Sequence, residues 1–105
     1  MTQFAVYRNK NPRTRRVYPL LVDVQVELLE DLQTCVVVPL SRAAAVSEFP
    51  LAYLTPALFF EGEAYVLMTP QLAGIARADL GVHAGSLEDP QRTISRALEF
   101  LFYGF

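Results

Sequence analysis

The chain has 105 residues, of which 52% are hydrophobic, and a formal net charge of −2. This balance excludes an intrinsically disordered chain, because disordered segments combine low apolar content with high net charge. The single cysteine cannot form an internal disulfide, so nothing indicates a secreted, disulfide-linked scaffold. The length fits one domain, and we expect residues 1–105 to fold as one.

The start of the chain, MTQFAVYRN, lacks the basic and apolar regions of a secretory signal peptide. The longest apolar stretch, residues 49–60, is short for a bilayer and contains Pro50 and Pro56. We therefore expect a cytoplasmic protein with no membrane partner. The high apolar content raises the question of where so small a chain places its hydrophobic surface.

The first third of the chain predicts three strands. Residues 3–7 alternate around apolar positions, residues 18–25 are rich in branched side chains, and residues 35–40 form a continuous apolar run. Residues 27–33, before the third strand, are polar and irregular except for Leu28 and Leu29. These two leucines are therefore an apolar pair in an otherwise polar connection.

The middle of the chain predicts short elements joined by turns. Residues 41–47 predict a helical turn, because Ser41 can cap it and alanine favours helix. Residues 56–60 and 63–68 predict a hairpin around Glu61-Gly62, where positive φ is needed. Three further segments are predicted: a short helix over residues 71–74 after Thr69-Pro70, a strand over residues 76–80 and a loop over residues 81–85.

The last segment predicts the clearest element, a helix that runs to Tyr103. Asp89 is expected to cap it, with Pro90 at its first position. At 100° per residue, one apolar stripe must pack on the sheet or on a second subunit, and it consists of Ile94, Ala97, Leu98, Leu101, Phe102 and Phe105. The opposite side carries Arg92, Arg96, Glu99 and Tyr103, with Phe100 beside them. Glu99 and Tyr103 are neighbours on this outer face, where a tyrosine is either a scattered surface aromatic or the anchor of an interface.

Residues that could carry catalysis are sparse. His83 is the only histidine and lies in a Gly-bounded segment, whereas Cys35 is the only cysteine and lies in an apolar run. A cysteine nucleophile needs a base and an electropositive setting, and the sequence shows neither. It also contains no pair of metal-ligand spacings and no Gly-rich phosphate loop. We therefore expect no catalytic residue, no metal and no cofactor, and a protein that acts by binding.

Basic residues are concentrated near the start of the chain. Five of the nine lie in residues 8–16, and no acidic residue precedes Asp23. One interpretation is a solvated loop, since asparagine and proline in this segment favour turns. The other is a small patch that contacts phosphates of a nucleic acid.

Several motifs together resemble the CcdB family of toxins. They are QFAVY at residues 3–7, VDVQ at residues 22–25, VPL at residues 38–40, Met68-Thr69 before the short helix, and the final Tyr103-Gly104-Phe105. The resemblance spans the whole chain. It implies a mainly β fold with a C-terminal α-helix, namely the antiparallel Src-homology-3-like barrel of the CcdB, Kid and MazF toxins.

The resemblance also implies a function without enzymatic activity. CcdB proteins are cytosolic homodimers that poison DNA gyrase, binding its A subunit while the DNA is cleaved. A CcdA-like antitoxin releases them, and only the complex of the two acts on operator DNA. Carried over by position, the gyrase contacts are Leu28, Leu29, Glu99, Tyr103, Gly104 and Phe105. From the apolar stripe of the helix, Ile94, Ala97, Leu98 and Leu101 are expected to serve the core or the dimer interface.

Three of these positions depart from the better-known members of the family. Tyr103, Phe105 and Glu99 stand where those chains carry tryptophan, isoleucine and asparagine. Tyrosine keeps an aromatic anchor with less apolar area, and glutamate replaces a neutral donor and acceptor with an acceptor-only anion. Two other functions remain open: an endoribonuclease of the Kid and MazF type, which the basic segment favours, and an inactive relative that binds only the antitoxin.

Overall fold

The computed structural model describes residues 3–46, 53–87 and 89–104. Within them, the regular elements follow in the order β1 (Ala5–Asn9), β2 (Leu20–Asp23), β3 (Thr34–Arg42), β4 (Ala57–Phe60), β5 (Glu63–Leu67), β6 (Ala73–Ala76), β7 (Leu80–Ser86) and α1 (Gln91–Tyr103). Short 3-10 turns lie at Glu27–Leu29, Ala43–Ala45, Thr69–Gln71 and Arg77–Asp79. No helix in this described part is long and apolar enough to span a membrane.

The described strands form one antiparallel sheet in the order β4-β5-β3-β2-β1-β7, with β6 beside β3. Strand β3 is long enough to pair with β2 on one side and with both β5 and β6 on the other. The sheet curls, so that its two end strands approach: the ring of Phe60 on β4 faces Gly85 on β7. An ion pair between Arg8 and Glu61, with Nη2 and Oε1 3.7 Å apart, lies at the same seam. The result is a half-barrel whose seam is filled by side chains.

The main core lies on the concave face of the sheet, beneath α1. Alternation along β1 and β2 places Val6, Leu20 and Val22 there, because successive strand residues point to opposite faces. Ile94 and Ala97 of α1 are fully buried against them, which fixes the side of the helix that faces the sheet. The opposite face of the sheet carries a smaller cluster of Leu21, Cys35 and Val37, packed with Ile75 and Leu80.

The predicted architecture, a mainly antiparallel β fold with a C-terminal helix, is confirmed. The strands predicted at residues 3–7, 18–25 and 35–40 are present as β1, β2 and β3, and the hairpin is present as β4 and β5. Its turn adopts positive φ at both central residues, 52° at Glu61 and 80° at Gly62, as tight hairpins require. The backbone hydrogen bonds of Phe4 with Asp23 and Leu87 hold this residue at a φ of 70°, just before β1.

Three predictions between residues 71 and 85 are wrong. Residues 81–85 form the middle of β7 instead of a loop, because their glycines allow close packing against β1 and Phe60. Residues 76–80 hold a 3-10 turn at Arg77–Asp79, and the strand comes earlier, at Ala73–Ala76. The helix predicted over residues 71–74 is a 3-10 turn that ends at Gln71, because the chain then pairs with β3.

Two predicted caps are also wrong. Ser41 lies inside β3, where its buried hydroxyl donates to the Val17 carbonyl at 2.8 Å, so the turn at Ala43–Ala45 begins after it. The end of that predicted turn, at residue 47, lies outside the described residues. Helix α1 begins at Gln91, with Pro90 as the preceding residue and no side-chain cap, so Asp89 does not close the first turn. The burial of Ile94 and Ala97 holds α1 in place without a cap.

Candidate functional site

The outer face and the end of α1 form an exposed surface. Glu99, Phe102 and Tyr103 are all exposed, with 62% of Phe102 and 70% of Tyr103 open to solvent. Ile94 and Ala97 turn the other side of the helix into the core, and this orientation sends Glu99 and Tyr103 outward, as the helical periodicity predicts. Two aromatic side chains therefore stand on the last turn of the helix.

The apolar stripe of α1 is buried only over its first half. Leu98 packs on the core while half-buried, Leu101 is half-buried, and Phe102 is exposed, so the sheet covers only part of the stripe predicted to pack on the sheet or on a second subunit. Exposure rises toward the end of the helix, because the last turn extends beyond the half-barrel. Leu98, Leu101 and Phe102 thus continue the buried stripe as an open apolar strip.

Gly104 ends the helix in a left-handed conformation with φ of 78°. Its backbone N–H donates to the Phe100 carbonyl at 2.9 Å, which satisfies one of the free carbonyls at the helix end. A residue without Cβ adopts this conformation at no steric cost. Gly104 therefore turns the chain out of the helix directly after Tyr103, and Phe105, the remaining predicted contact, lies outside the described residues.

Tyr53 packs on the outer face of α1 and was not among the predicted site residues. Its ring lies 6.2 Å from that of Phe100, and the Arg96 guanidinium lies 5.3 Å from its centroid. A cation over an aromatic ring contributes about 0.5–1 kcal/mol at an exposed position. With Glu99, these three residues line a shallow pocket of about 310 Å³. The outer face thus offers a pocket of mixed charge beside the exposed end of the helix.

Leu28 and Leu29 lie on a different element, the 3-10 turn at Glu27–Leu29 between β2 and β3. Leu28 is 88% exposed, and Leu29 is 41% exposed. Val26 and Leu32 on the same connection are about half exposed as well. A run of exposed apolar side chains on one connection is typical of an interaction surface. Glu99, Tyr103 and Gly104 therefore share one element, and the two leucines extend the candidate site to a second.

Three polar residues hold the connection that carries these leucines. Arg77 donates from Nε to the Leu32 carbonyl at 2.7 Å and from Nη2 to the Leu29 carbonyl at 3.5 Å. Its Nη1 lies 3.5 Å from Oδ2 of the buried Asp23. Gln25 donates from Nε2 to the Leu29 carbonyl at 3.3 Å. The exposed turn is thus tied to the sheet through its backbone carbonyls.

Burial dominates the electrostatics beneath this turn. It raises the pKa of Asp23 above its usual value, although the Gln25 N–H and the Arg77 guanidinium both act in the opposite direction. Burial, together with the Asp23 charge, also raises the pKa of the Tyr7 hydroxyl and of the Cys35 thiol. A thiol held protonated in this way is a poor nucleophile.

The other residues considered for catalysis, metal binding or nucleic-acid binding lie on other parts of the structure. His83 is exposed on β7, with its ring edge-on to Tyr7 at 5.5 Å. In residues 3–46, 53–87 and 89–104, no three histidine, cysteine or acidic side chains come close enough to hold a metal ion. Lys10 donates to the Ala78 carbonyl at 2.8 Å and borders a groove of about 550 Å³, while Arg13, Arg15 and Arg16 are exposed.

The residues that sequence reasoning missed are Tyr53, Asp23, Gln25 and Arg77. Asp23 and Gln25 belong to the VDVQ motif, but no role followed from it. A charged residue inside a strand of branched side chains was the available signal, since a buried charge needs a partner. The partner, Arg77, lies 54 positions further along the chain, so spacing could not identify it.

Comparison with known proteins agrees with this architecture. Residues 3–104 match the family model described as CcdB protein. The structure is also similar to that of an endoribonuclease in complex with its cognate antitoxin from a mycobacterial species, with a TM-score of 0.73 and 14% identity over 97% of this chain and 94% of the other. At that identity the likeness concerns the fold, which is the half-barrel with a C-terminal helix of CcdB-like and MazF-like toxins. Because the family model covers nearly the whole chain, the chain belongs to the CcdB family of toxins.

Proposed function

We propose that this protein is the toxin of a type II toxin–antitoxin pair that poisons DNA gyrase. It binds the A subunit of gyrase without being an enzyme itself and traps the complex in which the DNA is cleaved. The observation that carries the proposal is the exposed Tyr103 on the last helical turn, directly before the left-handed Gly104. An aromatic side chain at a protruding helix end fits the anchor that a protein interface uses.

Glu99 determines what the gyrase surface must provide. Its exposed carboxylate lies one turn before Tyr103, beside the pocket that it lines with Tyr53 and Arg96. A carboxylate that is covered by a partner needs a cation or hydrogen-bond donors, because burial of an unpaired charge is costly. We therefore expect a lysine or arginine of gyrase opposite Glu99.

The proposal includes two further protein partners. One is a second copy of the chain, which would cover the open strip of Leu98, Leu101 and Phe102. The other is a CcdA-like antitoxin, through which the toxin would reach operator DNA. The structural similarity to an endoribonuclease bound to its cognate antitoxin supports an antitoxin partner. Because gyrase and operator DNA are cytoplasmic targets, the cytoplasm is the proposed location of the protein.

Replacement of Tyr103 tests the site. Purified wild-type protein is expected to make gyrase accumulate cleaved DNA, and Tyr103→Ala to require at least about thirtyfold more protein for the same cleavage, since truncation of an interface anchor costs about 2 kcal/mol or more. Phe59→Ala is the matched control, because Phe59 is 75% exposed but lies on β4. Both variants should keep the melting temperature of the wild type.

The same experiment distinguishes the alternatives. If Tyr103→Ala leaves gyrase-dependent cleavage unchanged, the site is wrongly placed. RNA cleavage without DNA cleavage would instead identify an endoribonuclease, a function that the exposed Arg13, Arg15 and Arg16 favour as phosphate contacts. Antitoxin binding with neither cleavage would identify an inactive relative.

A further inference from the structure

The connection between β2 and β3 presents apolar side chains to solvent, although the exposure of apolar surface to water is unfavourable. Leu28, Leu29 and Leu32 are all exposed, and none of the residues in the 3-10 turn at Glu27–Leu29 is buried. Such a turn has no core contacts of its own to hold one conformation. Backbone hydrogen bonds within the connection, from the Leu29 N–H to the Val26 carbonyl and from the Glu30 N–H to the Glu27 carbonyl, each 3.0 Å, and the polar contacts beneath it supply that order.

Arg77 supplies two of these contacts from a single guanidinium. Nε and Nη2 reach the carbonyls of Leu32 and Leu29, which lie on either side of residues 30–31. The backbone N–H of Arg77 also donates to the Gln33 carbonyl at 2.8 Å. Arginine can do this because its planar group carries five donors in a fixed fork, whereas the lysine ammonium is a point charge on a flexible stem.

Asp23 fixes the guanidinium, and Gln25 closes the other side of the connection. The Asp23 side chain is 3% exposed and holds Nη1 of Arg77, while its Oδ1 accepts the Gln25 N–H at 2.9 Å. The Gln25 side chain bridges the carbonyls of Leu29 and Thr34, each at 3.3 Å, and accepts the Val36 N–H at 3.3 Å. Apart from the side chain of Gln25, which belongs to the connection itself, these contacts use its backbone groups, so they do not depend on the side chains of Leu28, Leu29 and Leu32.

A buried ion pair is a weak source of stability, because removing two charges from water offsets most of their attraction. The presence of the Asp23–Arg77 pair in this protein is better explained by the conformation of the turn that it selects than by a gain in stability. An interface that is already ordered avoids the entropic cost of immobilising its side chains on binding.

From these contacts we propose that Arg77, anchored by Asp23, is a positioning residue that holds the Leu28–Leu29 turn in the conformation presented to the gyrase A subunit. The inference rests on the proposed function for the identity of the partner. The ordering of the turn by Arg77 is a property of the free protein and is measured without gyrase.

The test compares Arg77→Lys with a matched control, Arg42→Lys. Arg42 forms an ion pair with Glu63 at 3.1 Å on the surface, away from the turn, so its replacement removes a guanidinium without touching the connection. In the free protein, Arg77→Lys should accelerate amide hydrogen exchange at Glu30 and Leu32 at least about tenfold. The amides of β3 should keep their wild-type exchange rates, because a general loss of stability would raise exchange throughout.

Binding to the purified gyrase A subunit is measured in a double-mutant cycle. Arg77→Lys should weaken binding about tenfold in the wild-type background and by less than about twofold in a Leu28→Ala, Leu29→Ala background, since its effect passes through these side chains. An equal loss in both backgrounds would overturn the positioning role, as would unchanged exchange at Glu30 and Leu32. If the wild type fails to bind gyrase A, the proposed function is rejected, and the exchange data alone decide whether Arg77 orders the turn.

Discussion

Asp23 shows how one residue connects the strand pattern to the candidate site. It occupies an outward position of β2, yet it is buried by its neighbours and faces Arg77. Desolvation disfavours its charged form more strongly than Arg77 and the Gln25 N–H favour it, so its pKa is raised. In its charged form the Asp23 carboxylate is thus disfavoured by burial, and its proposed role is to hold Arg77 beneath the turn at Leu28 and Leu29.

The raised pKa of Asp23 makes a prediction about pH. Because the folded state binds this proton more tightly than the unfolded chain, the contribution of Asp23 to the free energy of unfolding is fully present below its usual pKa of 3.8 and is lost as the pH rises through the raised value. The free energy of unfolding of the wild type, relative to that of Asp23→Asn, should therefore be larger at pH 3 than at pH 7. Urea denaturation of both proteins at each pH measures this difference, and other titrating groups cancel between them.

A difference that grows from pH 3 to pH 7 in favour of the wild type would contradict this prediction. It would mean that the ion pair with Arg77 outweighs desolvation, and that the folded-state pKa of Asp23 lies below its usual value. The result would then favour a stabilising role for Arg77 over a positioning one.

At the scale of elements, the pairing of β1 with β7 depends on a glycine. A Cβ at Gly81 would collide with the backbone carbonyl of Arg8 on β1, and backbone cannot move aside as a flexible side chain can. Gly74 in β6 is different, since nothing lies within 4 Å of the place where its Cβ would be. The same residue type therefore has a packing role in one strand and none in the other.

This contrast predicts opposite effects of two identical substitutions. Gly81→Ala should lower the free energy of unfolding by about 1–3 kcal/mol, because the strands must separate to admit the methyl group. Gly74→Ala should be neutral or slightly stabilising, because alanine loses less conformational freedom than glycine on folding. Chemical denaturation monitored by circular dichroism measures both, and equal effects at the two positions would refute the role assigned to Gly81.

At the scale of the whole molecule, the high hydrophobic fraction is only partly explained by the core. The half-barrel encloses the apolar side chains of its concave face, while Leu28, Phe59, Val82, Phe102 and Tyr103 are all more than 60% exposed. A small domain has little interior relative to its surface. The apolar surface that remains is available to other proteins, among which we propose a second copy of the chain, gyrase and the antitoxin.

The proposed dimer is tested at the end of α1. Leu101→Asp should shift the protein from dimer to monomer in sedimentation velocity, because a carboxylate in the open strip of Leu98, Leu101 and Phe102 would be buried without a partner. Phe59→Asp introduces the same charge on β4 and should leave the dimer intact. Circular dichroism checks that both variants are folded, and a folded Leu101→Asp dimer would exclude this strip as the interface.

The sequence by itself determined the features that depend on local chemistry. Periodicity identified α1 and the outward position of Glu99 and Tyr103, alternation and branched residues identified β1 to β3, and Glu61-Gly62 identified the hairpin. The motifs at the end of β2 and at the chain end were enough to indicate the CcdB family, which the family model confirms.

Tertiary structure alone decided the features that depend on contacts between distant segments. The glycines of residues 81–85 resemble a loop locally, but pairing with β1 makes them a strand. Phe102 belongs to the apolar stripe by periodicity, yet the half-barrel ends before it. Arg77 meets Asp23 only because the turn after β6 returns to the connection between β2 and β3. Local propensity carries no information on such long-range pairings, because the energy that fixes them arises only when the segments are brought together.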